Sequence, residues 1–159
     1  MARLYGRAAG GKRCYDKTPS GRCETVTVLS SVRMDGETES LVFDGAVDRK
    51  MYEAFIHEIL GPSLRPGDIV IADNLSAHKS PLVKAFVESK SANYMFLPAY
   101  SPDLNPIEKM WSKIKQILRG IKARTQEELF DAVAKALSMV TGDDAQGWFT
   151  SCGYVKFQS

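Results

Sequence analysis

Three side chains in the middle of this 159-residue chain have types and positions suited to phosphate chemistry: Asp73, His78 and Glu108. Asp73 ends the apolar run Asp68-Ile-Val-Ile-Ala-Asp73. In open α/β sheets the carboxyl ends of such strands border the ligand crevice. Asp73 with Asn74 can equally form an Asx turn that merely ends the strand. His78, four residues beyond Asn74, is most simply a surface histidine, with a ligand or base as the alternative. Glu108 falls at the third position of a helix with Asn105 as N-cap and Pro106 as first residue, which is the pattern of a capping box. On a helical wheel Glu108 also lies at about 100° from Ile107, just off the apolar face, with Lys115, Arg119 and Lys122 aligned beneath it. A carboxylate above a basic ridge suits a site where acids hold two divalent cations ~3.5–4 Å apart around a phosphodiester. Mg²⁺ fits such a site because it takes carboxylates together with water and substrate oxygens. Lys113, Lys115, Arg119 and Lys122 would then hold flanking phosphates; the alternative is an ordinary solvated face.

Positioning these groups requires alternating strands and helices. Residues 1–24 are rich in Gly, Arg and Lys without sustained periodicity and read as a basic arm. Glu24 to Arg33 and Glu39 to Val47 flank the turn Asp35-Gly36 and predict a β-hairpin. Lys50 to Leu60 has helical apolar spacing and stops at Gly61-Pro62. Asp68 to Asp73 and Asn93 to Leu97 predict short buried strands, with a helix over Pro81 to Glu88 between them. Ile107, Met110, Trp111, Ile114, Ile117, Leu118 and Ile121 form the longest apolar stripe. Thr125 and Glu128 predict a capping box opening a last helix to Val140. The order β-β-α-β-α-β-α-α is that of an α/β domain with a mixed sheet.

Composition bounds the function classes. The chain is 44% hydrophobic and 25% charged with a net charge of +2, which excludes whole-chain disorder, collagen and coiled coil. No apolar run approaches the ~20 residues of a membrane span. The first residues lack the apolar core of a secretory signal. Cys14, Cys23 and Cys152 show no CxxC spacing, consistent with a reduced, cytosolic setting. The small net charge conceals seven Lys/Arg against two acids from Met1 to Arg33, and six with no acid from Lys109 to Arg124. Two such blocks can converge on a polyanion.

The stretches Val70-Ile-Ala-Asp73-Asn74-Leu-Ser-Ala-His78 and Leu97-Pro-Ala-Tyr-Ser-Pro-Asp-Leu-Asn-Pro-Ile-Glu108-Lys-Met-Trp111 resemble the DDE-type transposases of bacterial insertion sequences related to Tc/mariner elements. The 34 residues between Asp73 and Glu108 also fit that family. Weaker similarity runs from Arg3-Leu-Tyr-Gly-Arg7 to Gly153-Tyr154. The resemblance implies an RNase H-like fold over residues 25–159, a mixed sheet flanked by helices. It implies Asp73 and Glu108 as catalytic acids and metal ligands, Asn74 and His78 in support, and Mg²⁺ with Mn²⁺ as a substitute. Its implied partners are DNA, both transposon ends and target, and a second copy in a homodimer. The setting it implies is the bacterial cytoplasm and nucleoid, with no membrane.

One departure stands out. The family's first catalytic Asp ends its first strand, ahead of the segment matched by Arg3 to Arg7, and no apolar strand ending in Asp precedes residue 24. Asp16 sits in a turn sequence, and Asp44 and Asp48 are expected away from the site. The expectation is therefore a partial domain lacking its central strand, with two inner strand edges exposed. It would have weak or no activity alone, or would persist as a DNA-binding, dimerising remnant. No helix-turn-helix domain for reading transposon ends is recognisable.

Overall fold

The computed structural model describes residues 26–154; the basic arm, Cys14, Cys23 and Asp16 lie outside them. Strands β1 (Val26–Val32) and β2 (Thr38–Asp44) form an antiparallel hairpin in which Leu29 faces Leu41 and Val28 faces Val42. Alternation sends these two pairs to opposite sides of the hairpin. Leu29 and Leu41 enter a core built by Tyr52, Phe55, Ile56, Val83, Val87 and Tyr94, whereas Val28, Val32 and Val42 enter a second core around Met110, Ile114 and Val133. The hairpin is thus the middle layer of a three-layer arrangement, with a separate apolar core on each face.

Helix α1 (Arg49–Ala54), capped by the Asp48 side chain on the Met51 amide, continues as a wider π-helical turn over Phe55–Leu60 and a 3₁₀ turn over Gly61–Ser63. The helix thus runs to Leu60 as its sequence suggests, and Gly61-Pro62 close it in the 3₁₀ turn. Strands β3 (Ile69–Ala72) and β4 (Asn93–Phe96) pair in parallel, joined through α2 (Pro81–Ser89). Helix α3 (Pro106–Ile121) buries Met110 and Ile114 completely, and its stripe fades at Ile121, which is exposed. Helix α4 (Gln126–Ser138) opens with the expected Thr125–Glu128 capping box.

Helix α5 (Gly142–Ser151) is not foreseen in the sequence reading, because Gly142 and Gly147 mask its periodicity. Its start carries a second capping box, Thr141 with Asp144, the same signal that marks α4.

The expected single mixed sheet is two sheets among the described residues: β1 with β2, and β3 with β4. β3 is also less buried than a central parallel strand should be, with Ile69 at 56% and Ile71 at 37% exposure. Across the interval between the sheets, Arg33, just after β1, makes a two-pronged ion pair with Asp68, just before β3; both bonds are 2.8 Å. No helix among the described residues is long and apolar enough to cross a membrane.

Candidate active site

Asp73 follows β3 directly, where the strand gives way to a 3₁₀ turn over Ser76–His78. Its Oδ1 accepts a 3.1 Å bond from the Leu75 amide, so the Asx turn expected of this residue is present. The turn brings His78 back, with Nδ1 2.6 Å from Asp73 Oδ1. Nδ1 makes no aligned hydrogen bond among the described residues, so this is a close contact rather than a directed bond. The turn uses one oxygen of a half-exposed carboxylate.

Behind His78 stands a small buried network absent from the sequence reading. The Tyr52 ring lies against the imidazole with 4.1 Å between centroids. The Tyr52 and Tyr94 hydroxyls are 2.9 Å apart, and the Tyr94 hydroxyl donates to the His78 carbonyl oxygen at 3.1 Å. Burial pushes both phenols above their usual range, with the Asp73 charge adding in the same direction. Both tyrosines therefore stay neutral donors that fix the 3₁₀ turn, and through it His78 and Asp73. Nothing local in the sequence ties Tyr52 to Tyr94, 42 residues away. Asn74 turns toward the neighbouring strand end, with Nδ2 3.5 Å from the Leu97 carbonyl oxygen.

Glu108 stands in the first turn of α3. The expected capping box does not form, and Asn105 makes no side-chain cap. The reason lies one turn earlier: Pro102–Leu104 is a 3₁₀ turn, and the Asn105 amide already donates to the Pro102 carbonyl at 3.1 Å. The donor that the Glu108 side chain would capture is taken. The carboxylate is left exposed, with no hydrogen bond or ion pair to another described residue.

Asp73 and Glu108 line the same concavity of about 460 Å³, together with Asn74, Lys79, Tyr100 and Asn105. Lys79 and Tyr100 are additions to the sequence-derived set. Tyr100 is fully exposed, in the left-handed backbone region at φ 58°. Two exposed carboxylates and hard oxygen donors suit a Mg²⁺ or Mn²⁺ ion that completes its shell with water and substrate oxygens. Among the described residues no group of three or more His, Cys, Asp and Glu side chains is placed to hold a metal ion. Asp44 and Asp48 are engaged elsewhere, on Gln126 and on the α1 N-terminus.

The four ridge residues divide. Lys115 and Arg119 are exposed on α3. Lys113 points to the start of α5, where its ammonium meets the Asp144 carboxylate and donates to the Met139 carbonyl oxygen at 3.0 Å. Together with the Thr141 bonds, that ion pair holds the Asp144 carboxyl below its usual range. Lys122 occupies the left-handed position that ends α3.

A family model described as "DDE superfamily endonuclease" matches residues 1–130. The Tcb1 transposase of Caenorhabditis briggsae is 30% identical over 102 residues, which are 60% of this chain and 37% of that protein. The Tc1 transposase of Caenorhabditis elegans is 29% identical over 94 residues, 57% and 34% of the two chains. The chain thus spans little more than a third of these relatives. Among solved structures, the Mos1 strand transfer complex superposes with a TM-score of 0.71 at 14% identity, covering 94% of this chain and 46% of that one. The Mos1 mariner paired end complex with Mn gives 0.64 at 16% identity, covering 96% and 48%. The fold is RNase H-like.

Proposed function

The chain belongs to the DDE superfamily endonuclease family, and from that premise we propose that it is the catalytic domain of a transposase, cutting DNA at element ends and joining them to target DNA. The observation that carries this reading is the convergence of Asp73, from the end of β3, and Glu108, from the first turn of α3, on one open concavity. A divalent cation, Mg²⁺ with Mn²⁺ as substitute, would supply Lewis-acid activation of the attacking oxygen and neutralise charge on the phosphate.

The chain's own residues do the rest. Asp73 and Glu108 offer carboxylate oxygens to the ion. His78 and the Asn74 turn hold the Asp73 carboxylate in place, backed by Tyr52 and Tyr94. Lys79 at the rim, with Lys115 and Arg119 along α3, supplies positive charge for phosphates flanking the scissile one. Lys122 caps the end of α3, and Lys113, in the middle of that helix, contributes through the α5 contact. A pair of such domains bridging two element ends is the assembly this reading expects.

A second reading, DNA binding without chemistry, draws on the two-acid site of the described residues. One experiment separates them. Mn²⁺ binding to the chain is measured by calorimetry, and nicking of labelled duplex DNA is followed with Mg²⁺ or Mn²⁺. Metal binding lost in both Asp73→Asn and Glu108→Gln, with any nicking lost alongside, is the expected result. Unchanged Mn²⁺ affinity in both variants would overturn the assignment, whereas metal binding without nicking would favour the second reading. Glu108→Gln should shift stability by less than ~0.5 kcal/mol, because the carboxylate has no protein partner to lose.

A further inference from the structure

Helix α1 contributes no residue to the cavity of Asp73 and Glu108, yet two consecutive residues of it reach the loop that runs from Asp73 to Ser80. Tyr52 lies against the His78 ring. Glu53 takes hold of the loop's far end: its Oε1 accepts a 2.5 Å bond from the Ser80 hydroxyl. Ser80 is only 3% exposed, and Glu53 is half-buried.

Ser80 is the N-cap residue of α2, where a serine ordinarily turns its hydroxyl back to an amide of the first helical turn. Here it makes no such bond. The hydroxyl donates instead to a carboxylate on another helix, and bonds to an ionised acceptor are about twice as strong as neutral ones. Cohesion does not call for this bond, because Tyr52, Phe55, Val83 and Val87 already pack α1 and α2 into one apolar core. A buried polar pair replaced by apolar groups is often no loss to stability. What the pair adds to that packing is direction.

The direction bears on the cavity. Neighbouring helical residues point about 100° apart, so Tyr52 and Glu53 hold the loop at two separate points, His78 and Ser80. Lys79 stands between those points, exposed, and lines the cavity with Asp73. Backbone bonds carry the restraint onward: the Lys79 amide donates to the Ser76 carbonyl at 3.3 Å and the His78 amide to the Leu75 carbonyl at 3.0 Å. The Leu75 amide in turn donates to Asp73 Oδ1.

We propose that Glu53 is a positioning residue for the candidate site: through Ser80 it fixes the loop so that Asp73 and Lys79 face the cavity together. The proposal deepens the metal-dependent reading of that site and rests on it for the role of Asp73.

The test uses the full chain and the variants Glu53→Ala, Ser80→Ala and Glu53→Gln, each shown folded by circular dichroism. Without metal, the His78 and Lys79 amides should exchange about fivefold faster in both alanine variants, while the Ile114 and Val133 amides of the other core keep their native rates. Mn²⁺ affinity by calorimetry should fall about tenfold in the same two variants, as when a residue behind a metal ligand is lost. Combining Glu53→Ala with Ser80→Ala should weaken it no further, because both remove the same bond. Glu53→Gln keeps an acceptor for Ser80 and should stay within about twofold of the native chain in both measurements. Unchanged exchange at His78 and Lys79 in the alanine variants would overturn the inference, as would Mn²⁺ affinity within about twofold of native in both. A native chain that binds no Mn²⁺ would instead overturn the metal assignment, and the exchange rates alone would then decide whether Glu53 holds the loop.

Discussion

Replacing Asp68 with Asn tests the contact that joins the hairpin to the parallel strand pair. In the native chain both Asp68 oxygens take 2.8 Å bonds from the Arg33 guanidinium, and Oδ2 also accepts from the Arg65 amide at 2.8 Å. Arg33 donates further to the Ser63 carbonyl oxygen at 3.0 Å. The two side chains are only 22% and 21% exposed, so solvent screens the pair less than a surface ion pair. Asn keeps the shape and one acceptor, but it removes the charge and one prong of the fork. Hydrogen bonds to charged groups contribute about 1.5–3 kcal/mol each, and a guanidinium left without its counterion adds desolvation cost. With one acceptor retained and partial exposure, a loss of about 2 kcal/mol at pH 7 is expected, or roughly 4–8 °C in Tm for a domain of this size.

The pH dependence identifies the cause. The Arg33 guanidinium, with help from the Arg65 amide, holds the Asp68 carboxyl below its usual range, and Asp68 in turn raises the already high Arg33 pKa. A depressed carboxyl stabilises the fold above its unfolded pKa of ~3.9, and that stability is lost as pH falls through the lower folded value. Arg33 stays charged throughout. Urea unfolding of both chains, from pH 7 down to the lowest pH at which both fold, should show their difference shrinking only below about pH 4. A gap under 0.5 kcal/mol at pH 7, about that of an ordinary surface substitution, or a gap that persists undiminished at low pH, would refute the charge-based account.

Three further outcomes are expected. Reversing charge at Lys115 and Arg119 together should weaken DNA binding and reduce the slope of log affinity against log salt by about 2, read from titrations at several salt concentrations. Tyr100→Gly relieves a left-handed backbone that costs a side-chain-bearing residue on the order of 1 kcal/mol. Thermal unfolding should therefore show stability unchanged or higher, while DNA affinity falls if the exposed ring touches DNA. Gly36→Ala should cost about 2 kcal/mol or more by urea unfolding, because Gly36 has φ +95° and a Cβ there would sit 2.7 Å from the Gly142 backbone nitrogen.

The two candidate acids are readable in the sequence because their surroundings are local. Asp73 follows a four-residue apolar strand, and the stripe from Ile107 to Leu118 fixes which flank of α3 Glu108 occupies. Thr125 and Glu128 form the capping box their spacing predicts, but Asn105 and Glu108, with equivalent spacing, do not. The difference is the amide bond to Pro102, decided by how the preceding loop enters the helix. Lys113 shows the same limit: a helical wheel places it near the basic ridge, while Asp144, 31 residues on, draws it aside. The Tyr52–Tyr94 contact and helix α5 depend on tertiary packing or on glycine-diluted periodicity. No window of sequence displays the first, and the second shows locally only its Thr141–Asp144 capping box.

Asp73 and Glu108 are anchored in different cores: β3 packs with α1 and α2, whereas α3 packs with α4 and α5. The separation of the two acids is therefore a relative position of two bodies, with the hairpin as their shared plate. An ion with a strict coordination distance, such as Mg²⁺ at 2.0–2.1 Å, would clamp those bodies together when both carboxylates ligate it. Its binding free energy would then appear as resistance to unfolding of the whole domain, growing with the logarithm of metal concentration.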